Sequence, residues 1–344
     1  MARGRAPQQT LPTPPPQPLP AEPSTRRRQY LGLEVLYDPE QVGLGPTELD
    51  IAFVHGLNGD HIRTWRHEDT GIVWPEDLIP KVMPSFRVLS FGYSAHVYDN
   101  VSLAHIRDHA RNLLNLLNDE RAEIPPERPV VFVAHSLGGL VVKQALRLAN
   151  NEAPFKLVAK ATRGILLFST PHHGADEEKW LRIAEGFAPL APPNPDPSGA
   201  QTIRNPLVDA LKRESRDVLE ISEDFRFLAC SYALVSFYEL HVWPGTREQI
   251  VHKSSALLNL EHERQVPLEA NHADMCRFDG LKDPLFVQVV KRIKDAANGG
   301  PVDRGNEGQR GVQQDTTTTR RGISQADGGR QRVVRQTEYA GRRQ

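Results

Sequence analysis

The stretch VVFVAHSLGGLVVKQAL, Val130 to Leu146, changes character at one residue. Up to His135 it is β-branched and aromatic, the composition of a buried strand. After Ser136 come Leu137, two glycines and a run whose apolar residues recur at helical spacing. A serine is left on a strand-to-helix corner. Such a corner strains the backbone, pushes the hydroxyl out above the sheet edge and demands small residues two before and two after. Ala134 and Gly138 meet that demand in A-H-S-L-G, with alanine in the first place of the G-x-S-x-G pattern. The helix beginning near Gly138 aims its N-terminal amides at the same spot, which suits an oxyanion. A turn serine that merely caps a helix would show the same five residues. The flanking strand and helix set this one apart.

Working outward, this run from Arg128 (RPVVFVAHS) is one of five short and nearly continuous apolar runs, the others beginning at Leu49 (LDIAFVHG), Ser85 (SFRVLSFGY), Arg163 (RGILLFST) and Tyr232 (YALVSFYE). Runs of this kind suit strands covered on both faces, as in a mostly parallel sheet. Between them lie helical stretches such as VSLAHIRDHARNLLNLLNDE, where Leu103, Ile106, Ala110, Leu113 and Leu117 recur at three and four. DPLFVQVVKRIKDAA reads as a closing helix, with Asp283 as N-cap and Pro284 in the first turn. The alternation predicts an α/β fold: a mostly parallel, doubly wound sheet with right-handed crossovers and helices on both faces. Functional loops then belong beyond the C-terminal ends of the strands.

The chain has 344 residues, 39% of them hydrophobic, but the apolar residues are unevenly spread. Residues 1–29 hold LPTPPPQPLPAEP and RRR, and from about Ala297 the sequence is rich in Gly, Arg, Gln and Thr. Neither segment buries enough apolar surface to offset its ordering entropy, so residues 1–29 and 297–344 are expected to be disordered. Tyr30 to Ala296 is then one domain. The net charge of −1 provides no general attraction for nucleic acid. The basic residues concentrate in the tails, a composition suited to solvated arms and, beyond that, to peripheral contact with an anionic membrane surface. Cys230 and Cys276 make neither a disulfide framework nor a zinc-ligand pair, consistent with a reducing, intracellular compartment. No apolar run reaches the ~18–20 residues of a membrane span. The sequence sets no oligomeric state.

A serine nucleophile needs an oxyanion site, a base and an acid. FVHGLNGD has the form strand, His55, Gly56, Leu57, and the amides of Leu57 and Leu137 are the candidate oxyanion donors. Chain order in such sites runs serine, acid, histidine. Of the thirteen histidines, His55 and His135 flank the oxyanion elements. His105 and His109 sit at i, i+4 in HIRDH without the glutamate of a zinc protease, so no metal is expected. His172 and His173 follow a strand end and come too early to be the base, but can line the site. His241, His252, His262 and His272 follow the run YALVSFYE, and His272, between the last strand-like run and the closing helix, stands where the base belongs. For the acid, Glu239 ends the strand YALVSFYE, while Asp274 lies two residues past His272 and better suits capping of local backbone.

The ordered series FVHGLNGDHIRTW, WPEDLIP, FGYSA, AHSLGGLVVKQAL, FSTPHHGAD, SFYE and NHADMCRF resembles the serine-active-site-containing, lipase-like α/β hydrolases. These are related to the GPI inositol-deacylase group and to the N-terminal hydrolase domains of fungal NLR-like and ankyrin-repeat proteins. The resemblance covers about Leu31 to Ala296. It implies the α/β-hydrolase fold, Ser136 as nucleophile, His272 as base, Glu239 as acid, and TPHHG as a loop at the rim of the site, with no cofactor. It further implies an acyl-ester or lipid substrate and a protein either soluble or held peripherally at the endoplasmic reticulum or mitochondrial membrane, with a cytosolic location as the alternative. Where relatives often carry an aspartate, this chain has His252.

Two functions therefore compete. One is a serine esterase or lipase-like hydrolase, with the segment from Lys179 (KWLRIAEGFAPLAPPNPDPSG) either a lid over an acyl pocket or a surface excursion. The other is a recognition or signalling module that keeps the fold and acts by binding. A stand-alone enzyme and a truncated receptor-like chain would both end in this polar tail.

Overall fold

The computed structural model describes residues 30–95, 106–172, 215–245 and 247–299. The two terminal arms, His105, His173 and the segment from Lys179 lie outside them.

The five apolar runs form the middle of a seven-stranded sheet. Its strands are β1 (Gly32–Tyr37), β2 (Leu49–Val54), β3 (Phe86–Gly92), β4 (Val130–His135), β5 (Thr162–Phe168), β6 (Ala233–Glu239) and β7 (Arg264–Leu268). The order across the sheet is β1-β3-β2-β4-β5-β6-β7. Only β1 runs antiparallel, against β3; every other pairing is parallel. Side chains alternate between two cores. Along β2, Ala52 and Val54 enter one core while Ile51 and Phe53 enter the other, and β4 divides Phe132 and Ala134 from Val131 and Val133 in the same way. Both faces of the central strands are therefore dry, which is why they read as unbroken apolar runs.

Helices supply the two coverings. Short helices α1 (Trp74–Asp77) and α2 (Ile79–Val82) follow β2 and bury Trp74 and Ile79. The helices α3 (Ile106–Glu120), α4 (Leu137–Asn151), α5 (Lys156–Ala161) and α6 (Ser215–Ala229) contribute to one core. After the single turn α7 (Lys253–Ala256), the closing helix α8 (Pro284–Asn298) packs Phe286, Val289 and Ile293 with Trp65 and Trp74 in the other core. Asp283 caps α8 as its sequence predicts, accepting from the amides of Leu285 (2.8 Å) and Phe286 (3.4 Å).

Two strands escaped the sequence reading, and both are edges. In β1 every residue is half-buried, so no alternation shows, and its pairing with β3 is shifted between Val35 and Tyr37. β7 is RQVPL; its proline reads as a strand breaker but is tolerated at an edge, where no further strand needs its missing N–H. The last strand is therefore β7 rather than the run ending at Glu239, and α8 extends to Asn298, past the boundary expected at Ala296.

From β2 the chain crosses to β3 on one side, then returns to place β4 on the other. The crevice beyond the C-terminal ends of β2 and β4 is thus the switch point of the sheet, where ligands bind in folds of this type. The opposite end carries a buried ion cluster: Asp50 accepts from Arg87 Nε (2.9 Å) and from Arg121, while Arg87 also pairs with Glu120 (2.9 Å).

Candidate active site

The strand-to-helix corner has the strain its sequence implies. Ser136 stands at φ 53°, ψ −124°, a conformation that L-residues rarely adopt and that costs of order 1–3 kcal/mol. Its amide donates to Phe168 O (2.8 Å), so the end of β5 holds the corner in place. The demand for small neighbours is steric: a Cβ on Gly138 would overlap the carbonyl oxygens of Val54 and His55 at the end of β2. Gly139 has the same necessity toward Thr170, a contact the five-residue pattern does not contain. Ser136 Oγ is buried and has no hydrogen-bond partner among the described residues. Leu137 is the first residue of α4, so its amide has no acceptor within the helix.

β2 is the neighbour of β4, which brings the His-Gly corner against the serine. A Cβ on Gly56 would stand 2.7 Å from Ser136 Cβ and 2.9 Å from His135 O, so only glycine allows this approach. His55 is buried, and its work is structural. Its Nε2 accepts from the Tyr93 amide (3.4 Å), which leaves the proton on Nδ1 to donate to Gly56 O (2.9 Å). The Tyr93 hydroxyl donates to His55 O (2.8 Å), and the two rings stack at 4.3 Å. Burial raises the Tyr93 phenol, keeping it a donor. Gly59 N also donates to Gly56 O (3.0 Å). Because a peptide unit is planar and trans, pinning the Gly56 carbonyl fixes the Leu57 N–H in the opposite direction.

At the far side, His272 Nδ1 lies 3.1 Å from Glu239 Oε1, and both side chains are 0% exposed. The same oxygen accepts from Val251 N (2.8 Å), and Gln249 Nε2 donates to the Glu239 carbonyl (2.6 Å). Glu239 is the last residue of β6, held on both its backbone and its carboxylate. A carboxylate at Nδ1 selects the tautomer with its proton there, which makes Nε2 an acceptor. Asp274, the other acid weighed from sequence, is 59% exposed and accepts from Asn271 Nδ2 (2.6 Å). The local cap is Asn271, whose Oδ1 takes the amides of Ala273 and Asp274, both at 3.0 Å.

His135 belongs to the support of His272. Its Nε2 donates to the His272 carbonyl (2.9 Å), and the rings lie 4.7 Å apart. Burial first, and then the nearby His272, push His135 well below the ordinary histidine range, so it stays neutral. His55, His135 and His172, which the sequence suggested as rim residues, are all buried. His109 packs its ring on Tyr93 (4.7 Å). A recess of about 40 Å³ opens beside the corner, lined by Leu57, Asn58, Arg63, His135, Ala273 and Arg277 among others. Among the described residues no cluster of three or more acidic, His or Cys side chains is arranged to hold a metal ion, and no helix is long and apolar enough to cross a membrane.

The fold and the site together are a mostly parallel sheet with its switch point between β2 and β4, a strained serine at the end of β4, and a buried histidine against a carboxylate. The model of the alpha/beta hydrolase family matches residues 51–288, more than half of the chain, and the chain belongs to that family of hydrolases. Its relatives include Protein SERAC1 of Danio rerio, 27% identical over 295 residues covering 80% of this chain and 43% of the relative. Protein SERAC1 of Homo sapiens is 27% identical over 287 residues, covering 77% and 41%. The chain spans about two-fifths of the length of these curated relatives. Among solved structures, a carboxylesterase study of Nitrososphaera gargenis provides a chain with TM-score 0.45 at 10% identity, covering 73% of this chain and 91% of that one.

Proposed function

We propose that the chain is a serine esterase acting on carboxylic esters, with Ser136, His272 and Glu239 as its triad. The observation that carries this reading is the fully buried His272–Glu239 contact of 3.1 Å at the strand ends where the strained Ser136 also stands. His272 Nε2 accepts the Ser136 proton as Oγ attacks the ester carbonyl. The imidazolium that forms is stabilised by the Glu239 carboxylate at Nδ1. Negative charge collects on the former carbonyl oxygen, where the amides of Leu57 and Leu137 are the donors. The intermediate collapses to an acyl-serine, and the leaving alcohol takes the proton from His272. Water then repeats the sequence, with the same proton transfers, to release the acid and restore Ser136. No step calls for a metal or organic cofactor. Lipid and glycolipid acyl esters are the substrates to be tried first, by a panel of graded acyl-chain length.

A fluorophosphonate probe tests the assignment. It should modify Ser136 alone in the full-length chain and leave a folded Ser136→Ala variant unmodified and inactive. Modification of another serine, or turnover by the variant, would refute the nucleophile. A folded wild-type chain that neither reacts nor turns over any ester would favour the recognition module instead.

A further inference from the structure

Lys143 is 0% exposed, in the middle of α4 and surrounded by core. Lysines are almost never fully buried, because an ammonium group out of water is costly unless it is well partnered. Burial lowers its affinity for a proton well below the ordinary lysine range. Leucine or methionine would fill the space without that cost, so the amine must be held for its contacts. Nζ lies 3.0 Å from His172 Nδ1 and donates to Ser222 Oγ at 2.6 Å. Three elements therefore meet at one nitrogen: the nucleophile helix, the loop that leaves β5, and α6.

The contact belongs to a seam along α4. One turn before Lys143, Gly139 lies against Thr170. One turn after it, Arg147 bonds Gln144 Oε1 (2.7 Å) and pairs with Asp224 of α6. Lys143 is also two turns beyond Ser136, on the same side of the helix. The loop Ser169–His172 starts where Phe168 O holds the Ser136 amide, and its first residue stands at φ 40°. At its other end His172 N donates to Ser255 O (2.7 Å), and the Lys143 side chain reaches the His172 ring from the nucleophile helix.

We propose that Lys143 is a positioning residue that sets the Ser169–His172 loop against the nucleophile corner and thereby governs substrate binding more than the chemical step. This rests on the esterase reading for its kinetic part alone. The loop borders Ser136, whereas the described contacts of His272, Glu239 and the Gly56 corner are made with other residues.

The test compares Lys143→Met, His172→Phe and His172→Asn in the full chain, since asparagine keeps an acceptor near the position of Nδ1 and phenylalanine does not. With acyl esters, Lys143→Met should raise KM by about tenfold or more while kcat falls by less than about threefold, the mark of lost binding rather than lost transition-state contact. His172→Phe should do the same, His172→Asn should return KM to within about threefold of wild type, and the Lys143→Met/His172→Phe pair should be no worse than either alone. Hydrogen exchange should quicken at Ser169–His172 and stay unchanged across β2. Unchanged KM and exchange in a folded Lys143→Met, or a uniform rise in exchange with kcat and KM both affected, overturns the proposal. If Lys143→Met does not fold, the His172 pair decides it. If the wild type turns over no ester, the esterase reading fails, and the exchange pattern still decides the role of Lys143.

Discussion

In the proposed triad, replacing Glu239 by glutamine removes one charge from the site and little else. Both donors to the carboxylate, His272 Nδ1 at 3.1 Å and Val251 N at 2.8 Å, reach the same oxygen, Oε1. The other oxygen, Oε2, has no partner among the described residues. A glutamine can therefore put its carbonyl oxygen in the Oε1 position, keep both hydrogen bonds and leave its NH₂ where Oε2 stood. The imidazole then keeps the tautomer that accepts from serine. This differs from a triad in which the amide forces the wrong tautomer, for which kcat falls by ≈ 10⁴. What is lost is the attraction between carboxylate and imidazolium, ~4 kcal/mol at about 4 Å and an effective dielectric of about 20. At ~1.4 kcal/mol per factor of ten, kcat should fall about 10³-fold. Glu239→Ala should do more damage, because it also strands the Val251 amide and frees the ring. Asp274→Asn, at an exposed side chain that touches Asn271, should cost less than about tenfold, through loop stability alone. The assay is kcat under saturating short-chain ester, with circular dichroism on each variant. A crippled Asp274→Asn beside an active Glu239→Gln would show that the carboxylate has been misassigned, and equal activity of Glu239→Gln and wild type would remove imidazolium stabilisation from the mechanism.

Three further outcomes follow from features of the fold. Ser136→Gly should abolish turnover yet raise the unfolding free energy by roughly 1 kcal/mol, because relief of about 1–3 kcal/mol of strain exceeds glycine's entropic cost of up to about 1; a lower melting midpoint than wild type would contradict the strain. His135 is held below its unfolded value, so its contribution is complete above pH ~6.5 and is lost as pH falls toward the folded value, at up to ~1.4 kcal/mol per pH unit. His135→Gln, which can still donate to the His272 carbonyl, should flatten that limb in urea titrations at a series of pH values; an unchanged slope would assign the acid sensitivity elsewhere. Asp50→Ala leaves Arg87 and Arg121 without their buried carboxylate and should cost about 3–5 kcal/mol, read from urea midpoints, with kcat retained in the folded fraction.

The middle of the sheet was legible because burial on both faces imposes an unbroken apolar run, and few environments besides a doubly covered strand produce one so short. The corner at Ser136 was legible because steric demands write small residues at set offsets. What the sequence does not display is any interaction whose partners meet only through folding. Lys143 looks like an exposed position on the polar side of its helix, and the approach of His172 and Ser222 accounts for its burial. His55 and His135 are recognisable as neighbours of the corner, but their buried supporting roles depend on Tyr93 and on the His272 carbonyl, each far away in the chain. Edge strands are hidden for a related reason: a strand with one neighbour and one covered face needs neither a continuous apolar run nor freedom from proline.

The pairing of β2 with β4 also bears on how such a protein can change over generations. The glycine corner and the serine come from segments about eighty residues apart, yet their separation is set by one rung of strand hydrogen bonding and not by any loop between them. Glu239, likewise, is the last residue of a strand, while His272 stands just past the adjoining β7. Insertions and deletions in the connections can therefore accumulate without moving the reacting groups relative to one another. Drift in the loops alters what can enter the crevice, while Ser136, Glu239 and His272 stay on a lattice spaced by the backbone. On the proposed triad, new substrates are reached by editing length and composition at the surface, and loss of activity requires a hit on a small set of positions, Gly56, Ser136, Gly138, Glu239 and His272 among them.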